Sequence, residues 1–196
     1  MKAIDSSSKT TGKAKAIAAA GYGAVGVYLR PDRCTAAMIA ELHGAGLKVW
    51  CVYEKGRPTS DAYFSAARGT TDGNAAAAFA KSMGQPKGGQ IYAAVDYDPD
   101  DSDPSGPTIN GRISAYMKAF QAAIKPAGYV PSVYGSGRTC RILMANGLAK
   151  TGWLTQSTGF AEYKKFKPIA GIVQLPAINS DWDGDDIPDP GVVGLW

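Results

Sequence analysis

Acidic residues close several apolar runs. Asp5 follows Ala3-Ile4, Glu54 follows Val49-Trp50-Cys51-Val52-Tyr53, and Asp96 follows Ile91-Tyr92-Ala93-Ala94-Val95, with Asp98 two residues beyond. Carboxylates brought together divide into two states, because each anion raises the proton affinity of its neighbour. Hydrolysis of a glycosidic bond needs that division: one protonated acid for the leaving oxygen, and one anion to activate water, attack, or stabilise the positive intermediate. Glu54, Asp96, Asp98 and Asp5 are therefore the candidate catalytic residues. Each also has a plainer reading as a helix cap or loop anchor, most obviously Asp5 before Ser6-Ser7-Ser8.

Other chemistries find less support. His43 is the only histidine and lies in a helix about to end at Gly44 or Gly46, which argues against a Ser/His/Asp triad and a His-based zinc site. Cys34, Cys51 and Cys140 are odd in number and have no CxxC spacing, so they read as buried free thiols. The runs 96–103 and 181–186 alternate carboxylates as a calcium loop does, but neither completes the twelve-residue pattern with its terminal Glu, and both read as solvated turns. Gly69-Thr70-Thr71-Asp72-Gly73 and Tyr134-Gly135-Ser136-Gly137-Arg138 lack the endings of phosphate-binding loops and read as turn and helix-entry chemistry. No cofactor is required.

Bringing the acids together requires strands whose ends share a rim. Strand-like runs fall at 2–5, 24–29, 48–54, 90–96, 130–135, 153–156 and 171–175, and helical patterns at 11–20, 35–45, 74–83, 109–127 and 138–146. Ala20-Gly21-Tyr22, Ala45-Gly46-Leu47 and Ala127-Gly128-Tyr129 repeat one helix-to-strand phrase, with glycine at the cap. Alternating strands and helices predict a parallel sheet, and uninterrupted apolar strands predict one covered on both faces. With an eighth run near 179–183, the pattern predicts an α/β fold, a single small (β/α)8 TIM-like barrel with one or more shortened helices, the shortest near 160–167. Such a barrel gathers its strand C-termini at one face. Irregular stretches at 55–73, 99–107 and 176–196 follow, the first two behind the third and fourth strands. Tyr53, Tyr97, Tyr134 and Trp153 lie in or beside the strand ends, where flat rings stack on sugars. With Gln174, Asp181 and Asp183 they are the candidate substrate-binding residues.

The chain has 196 residues, 45% hydrophobic and 19% charged, enough for one domain spanning 1–196. The net charge of +4 is scattered, with no basic helix or Arg-rich tract, which argues against a nucleic-acid partner and suits long-range attraction to a polyanionic wall. No run of about twenty apolar residues is present, so no stable membrane insertion is expected. Met1-Lys2-Ala3-Ile4-Asp5 enters structure at once, without an apolar signal core. The expectation is a monomer made as a soluble cytoplasmic protein; if it acts on a bacterial wall, it reaches it only after release or delivery.

The chain resembles the glycoside-hydrolase-like domain of bacterial cell-envelope proteins and phage lysins over nearly its whole length. The likeness rests on Ile4-Asp5, Gly26-Val27-Tyr28-Leu29, Val52-Tyr53-Glu54, Asp72-Gly73, Ile91 through Asp98, Val133-Tyr134-Gly135-Ser136 with Cys140 behind it, Trp153, and Val173-Gln174. That family is similar to the barrel muramidases, whose fourth strand carries Asp-x-Glu. The resemblance implies hydrolysis of the β-1,4 link between N-acetylmuramic acid and N-acetylglucosamine in peptidoglycan glycan strands, in the manner of a lysozyme. In a small, one-domain chain acting on the wall, the lack of a signal core points to a phage endolysin or a delivered effector. Asp5 then matches the first-strand acid, Asp96 the first of the pair, Asp98 the place of the Glu, Gln174 a seventh-strand polar residue, and Asp181 or Asp183 the last-strand acid. Asp98 is shorter than Glu by one methylene, a retreat of about 1 Å, so either Glu54 or Asp98 is the proton donor. Two rivals stay open: a glycan-binding barrel without catalysis, and a barrel enzyme acting on another sugar or a phosphorylated metabolite.

Overall fold

Residues 1–101 and 108–196 are described by a computed structural model. The expected irregular stretch at 99–107 and the acidic run ending at Asp103 therefore lie partly outside the described residues.

Strands β1 (Lys2–Ser6), β2 (Ala24–Tyr28), β3 (Lys48–Tyr53), β4 (Gln90–Ala94), β5 (Val130–Gly135), β6 (Gly152–Leu154) and β7 (Ile172–Ala177) pair in chain order and in parallel, and β8 (Asp183–Asp186) closes the barrel. Helices α1 (Ala14–Ala19), α2 (Ala36–Gly44), α3 (Ala66–Ser82), α4 (Ser114–Ile124), α5 (Gly137–Ala145) and the single-turn α6 (Tyr163–Phe166) fill the first six crossovers. The fold is thus a mixed α/β barrel of eight strands. The expectation of a (β/α)8 barrel needs correction at its end: β8 runs antiparallel to both β7 and β1. Only residues 178–182 separate β7 from β8, and a parallel return needs a crossover of about a dozen residues or more, so the chain turns back as a hairpin.

Side chains alternate between the two sides of each strand. Ile4, Val25, Val49, Cys51, Ile91, Val133, Leu154 and Val173 face outward into the shell shared with the helices, and Ala3, Ala24, Trp50, Val52, Tyr92, Ala94, Tyr134, Trp153 and Ile172 face inward. Trp153 is the hub of the interior, edge-on to Trp50, Tyr92 and Tyr134 at ring separations of 5.6, 6.2 and 4.8 Å. The indole of Trp50 fits only because its neighbour on β2 is Gly26, where a Cβ would lie 2.5 Å from Trp50 Cζ2. This aromatic floor fills the barrel beneath the rim.

The turn expected at Gly69–Gly73 is instead helix. The α3 helix starts at Ala66, capped by Ser65 Oγ, which accepts from the Arg68 amide at 3.2 Å. Gly69 and Gly73, four residues apart, lie on one helical face and let α3 approach the α4 backbone; a Cβ on Gly69 would sit 2.2 Å from the Tyr116 carbonyl oxygen. Glycine read as punctuation serves here as close packing.

Candidate active site

Inward parity carries from the floor to the rim. On β1 the inward residue above Ala3 is Asp5; past β3, above Val52, it is Glu54; past β4, above Ala94, it is Asp96; on β7, above Ile172, it is Gln174. The antiparallel β8 adds Asp183, opposite Asp5 in register, and Asp185, opposite Ala3.

Asp5 is buried and heavily bonded. Gln174 Nε2 donates to its Oδ2 at 3.0 Å and Tyr28 Oη to its Oδ1 at 3.3 Å. Gln174 is itself oriented by Tyr134 Oη, which donates to Oε1 at 2.8 Å, and its amide also reaches Asp183 Oδ2 at 3.4 Å. One level deeper, Trp153 Nε1 donates to Asp185 Oδ1 at 2.9 Å, and Asp185 Oδ2 receives no N–H donor. Burial, followed by the adjacent Asp5, pushes Asp185 well above the carboxylate range. Asp5 is raised to about 6, first by burial and then by Asp183, against the lowering effect of Gln174.

Glu54 differs. Its carboxyl accepts no hydrogen bond among the described residues; burial first, then Asp96 and Asp5, raise it to about 7, with Arg30 opposing. Asp96 is raised by burial alone and likewise accepts no side-chain bond. A carboxyl that is half protonated at neutral pH beside anionic neighbours is poised to give up a proton.

The remaining expected site residues divide. Tyr134, Gln174 and Asp183 join the Asp5 network. Asp181 lies on the pocket wall with Asp5, Tyr28, Trp182 and Asp183 around a cavity of about 280 Å³, its carboxylate paired with Lys13 at 3.0 Å. Tyr53 does not face the rim: it points outward into the helix shell against Phe120, because it is one residue out of phase with Glu54. Trp153 belongs to the floor, and Tyr97 is held sideways by Asp61 and stacked on Phe64. Asp98 is turned toward the segment before α6, where its Oδ2 accepts from the Ala161 amide at 2.8 Å. Asp101 caps the helical segment at Ile109, accepting from that amide at 2.7 Å. Sequence reasoning missed Tyr28 and Asp185. The signal for Asp185 was its spacing of two from Asp183, which places both on the same side of a strand.

A pH dependence follows. Asp5 and Glu54 have ordinary values of 3.8 and 4.5 and keep their protons in the native state to about 6 and 7, a range in which the unfolded chain has lost them. The native state then binds more protons, so stability falls as pH rises from about 4 through about 7. The melting temperature is expected to climb as pH is lowered from 8 toward 5.5, and Asp5→Asn with Glu54→Gln together should flatten that slope. A melting temperature that falls over the same interval in the wild type would contradict these assignments.

Comparison with known proteins places this geometry. The model of the Rv2525c-like, glycoside hydrolase-like domain matches residues 15–190. The uncharacterized protein YbfG of Bacillus subtilis is 34% identical over 168 residues, 78% of this chain; the chain spans about a fifth of YbfG, 22% of its length. The Tat-secreted protein Rv2525c of Mycobacterium tuberculosis superposes with a TM-score of 0.81 at 21% identity, covering 100% of this chain and 98% of that one. The modular autolysin LytC of Streptococcus pneumoniae, in complex with a synthetic peptidoglycan ligand, superposes at 0.62 and 16% identity over 94% of this chain and 46% of LytC. The likeness to a Tat-secreted protein corrects the expectation of a plain cytoplasmic product: this fold occurs in a protein exported by a signal-dependent route. With a family model covering most of its length and an acidic rim on an eight-stranded barrel, the chain belongs to the Rv2525c-like glycoside hydrolase-like domain family.

Proposed function

We propose that this domain hydrolyses the β-1,4 glycosidic link of peptidoglycan after N-acetylmuramic acid, with Glu54 as the acid and Asp96 as its anionic partner. The observation that carries this reading is the pairing of an unbonded, half-buried Glu54 with Asp96 above a closed aromatic floor, beside an Asp5 already fixed by Gln174 and Tyr28. Glu54 in its acid form donates to the leaving oxygen. Asp96 in its anionic form stabilises positive charge at the sugar or directs water. Asp5, Gln174 and Asp183 order the water and the acetamido group on the opposite side. Tyr134 acts through Gln174, and Asp181 borders the cavity beside Asp5 and Asp183. The autolysin LytC, a structural neighbour crystallised with a peptidoglycan ligand, supports the choice of a wall glycan as substrate. The domain is read as a monomer of residues 1–196.

The test is release of soluble muropeptides from purified sacculi, with mass spectrometry of the new ends. New reducing muramic-acid ends that depend on Glu54 and Asp96 support the reading; intact sacculi that still bind the protein refute catalysis. One observation favours that second outcome, a glycan-binding barrel without turnover: Asp98, which stands where the muramidase pattern has its acid, is turned to the Ala161 amide, which donates to its Oδ2. If Glu54 is the donor, Asp98→Ala leaves release within about threefold of wild type while costing about 1 kcal/mol of stability from the lost hydrogen bond. Loss of release in that variant at unchanged stability would return the acid's role to Asp98.

A further inference from the structure

Among the described residues no side-chain bond holds either Glu54 or Asp96, so the spacing of their carboxyls follows the placement of the backbone at the two strand ends. Both backbones are gripped by one loop, residues 55–65, between β3 and α3. Immediately after Glu54, the Lys55 carbonyl accepts from Arg68 Nη2 at 3.1 Å and lies 2.6 Å from Tyr63 Oη. Tyr63 and Arg68 converge on buried Asp72, whose Oδ2 accepts from Tyr63 Oη at 2.6 Å, Arg68 Nε at 3.0 Å and Tyr116 Oη at 3.1 Å. At the other strand end the Asp96 amide donates to the Pro58 carbonyl at 2.9 Å. The next residue, Tyr97, donates to Asp61, whose other oxygen accepts from Thr108 Oγ1 at 3.0 Å. Between these anchors the chain turns through left-handed Gly56 and Arg57, at φ 81° and 61°. A non-glycine residue in that region persists only where its surroundings fix it.

We propose that the loop of residues 55–65 is a bracket that sets the distance between Glu54 and Asp96, with Asp72 and Asp61 as its two positioning residues. This rests on the proposed roles of Glu54 and Asp96, but its test needs no turnover. Neither aspartate reaches the reacting atoms; Asp61 acts through Tyr97, next to Asp96, and Asp72 through Arg68 and Tyr63, which meet the Lys55 carbonyl next to Glu54. Charged and titratable groups around Glu54 are Asp96, Asp5 on β1, Arg30 after β2, Tyr28 on β2 and Tyr134 on β5. Of these, Asp96 is the one the bracket holds.

The experiment is carbon-13 NMR titration of the Glu54 carboxyl, assigned with Glu54→Gln, in wild type, Tyr97→Phe and Tyr63→Phe. Each variant keeps its ring and removes one tie. Release of the bracket lets the carboxyls separate and water enter, so the Glu54 midpoint is expected to fall by about half a unit or more in each. Leu143→Ala on α5, remote from the rim, serves as a control for general loosening and should leave the midpoint in place. Should Tyr63→Phe fail to fold, Thr108→Val tests the Asp61 anchor from its other side. Midpoints within about 0.2 unit of wild type in the folded tyrosine variants, or an equal fall in Leu143→Ala, would overturn the proposal. Wild type inactive on sacculi but with a bracket-dependent midpoint would remove the proposed function and leave the bracket standing.

Discussion

Glu54→Gln is expected to lower muropeptide release by about a hundredfold to ten-thousandfold, the range associated with loss of a general acid. Glutamine keeps the shape and has no proton to give. The pH profile of the wild type should agree: release depends on protonated Glu54, so it should decline as pH rises through about 7, where burial, Asp96 and Asp5 place that group. The same substitution removes a carboxyl that resists ionisation, so at pH 8 the variant should be more stable than wild type, by on the order of 1–3 kcal/mol. Loss of turnover with gain of stability separates a functional residue from a structural one. Release at the wild-type rate would eliminate Glu54 as the acid, and a variant less stable than wild type at pH 8 would show that its carboxyl is not held against its preference.

Gly69→Ala should produce a large loss of stability. The new Cβ would meet the Tyr116 carbonyl oxygen at 2.2 Å and its carbon at 2.9 Å, both backbone atoms of α4 that cannot rotate away. The two helices must part, at a cost of about 1–3 kcal/mol or more. For a chain of this size that corresponds to a fall in melting temperature of roughly 3–10 °C. Parting would also lengthen the Tyr116–Asp72 hydrogen bond, which crosses the same contact at 3.1 Å. Gly44→Ala, at the end of α2 with nothing within 4 Å of the added carbon, is the matched control and should be neutral or slightly stabilising. Equal melting temperatures for Gly69→Ala and wild type would mean that α3 and α4 do not approach as closely as described.

The acids at the rim were legible because a barrel converts an acid at the end of an apolar strand into a residue at a shared face, and Asp5, Glu54 and Asp96 each carry that signature. Gln174 and Tyr134 were legible for the same reason. Tyr53 and Trp153 were misplaced because nearness in sequence was taken for nearness to the rim. Strand parity sends Tyr53 outward, one residue from Glu54, and depth leaves Trp153 in the floor. Gly69 and Gly73 look like a turn in a local reading, and only the packing of α3 on α4 shows why small residues recur at a spacing of four. The last strand was hardest to read: Asp183-Gly184-Asp185-Asp186 has no apolar run and the composition of a solvated loop. It forms a strand because both neighbours offer an open edge and because its inward carboxyls meet Asp5, Gln174 and Trp153.

Closure by β8 sets Lys2 opposite Asp186, so the seam joins residues separated by almost the whole length of the barrel. Contacts so distant in sequence carry the largest loop-closure entropy and form late. Glu54 and Asp96 belong to consecutive βα units and can meet early, whereas Asp5 gains its Gln174 and Asp185 partners only across the seam. During synthesis the rim is therefore half written until the chain has emerged to residue 186, with Glu54 and Asp96 in place and the opposite wall missing. Maturation of the site and sealing of the barrel become a single event, and a nascent or clipped chain that stops short of β8 carries the acids without the arrangement that gives them a use.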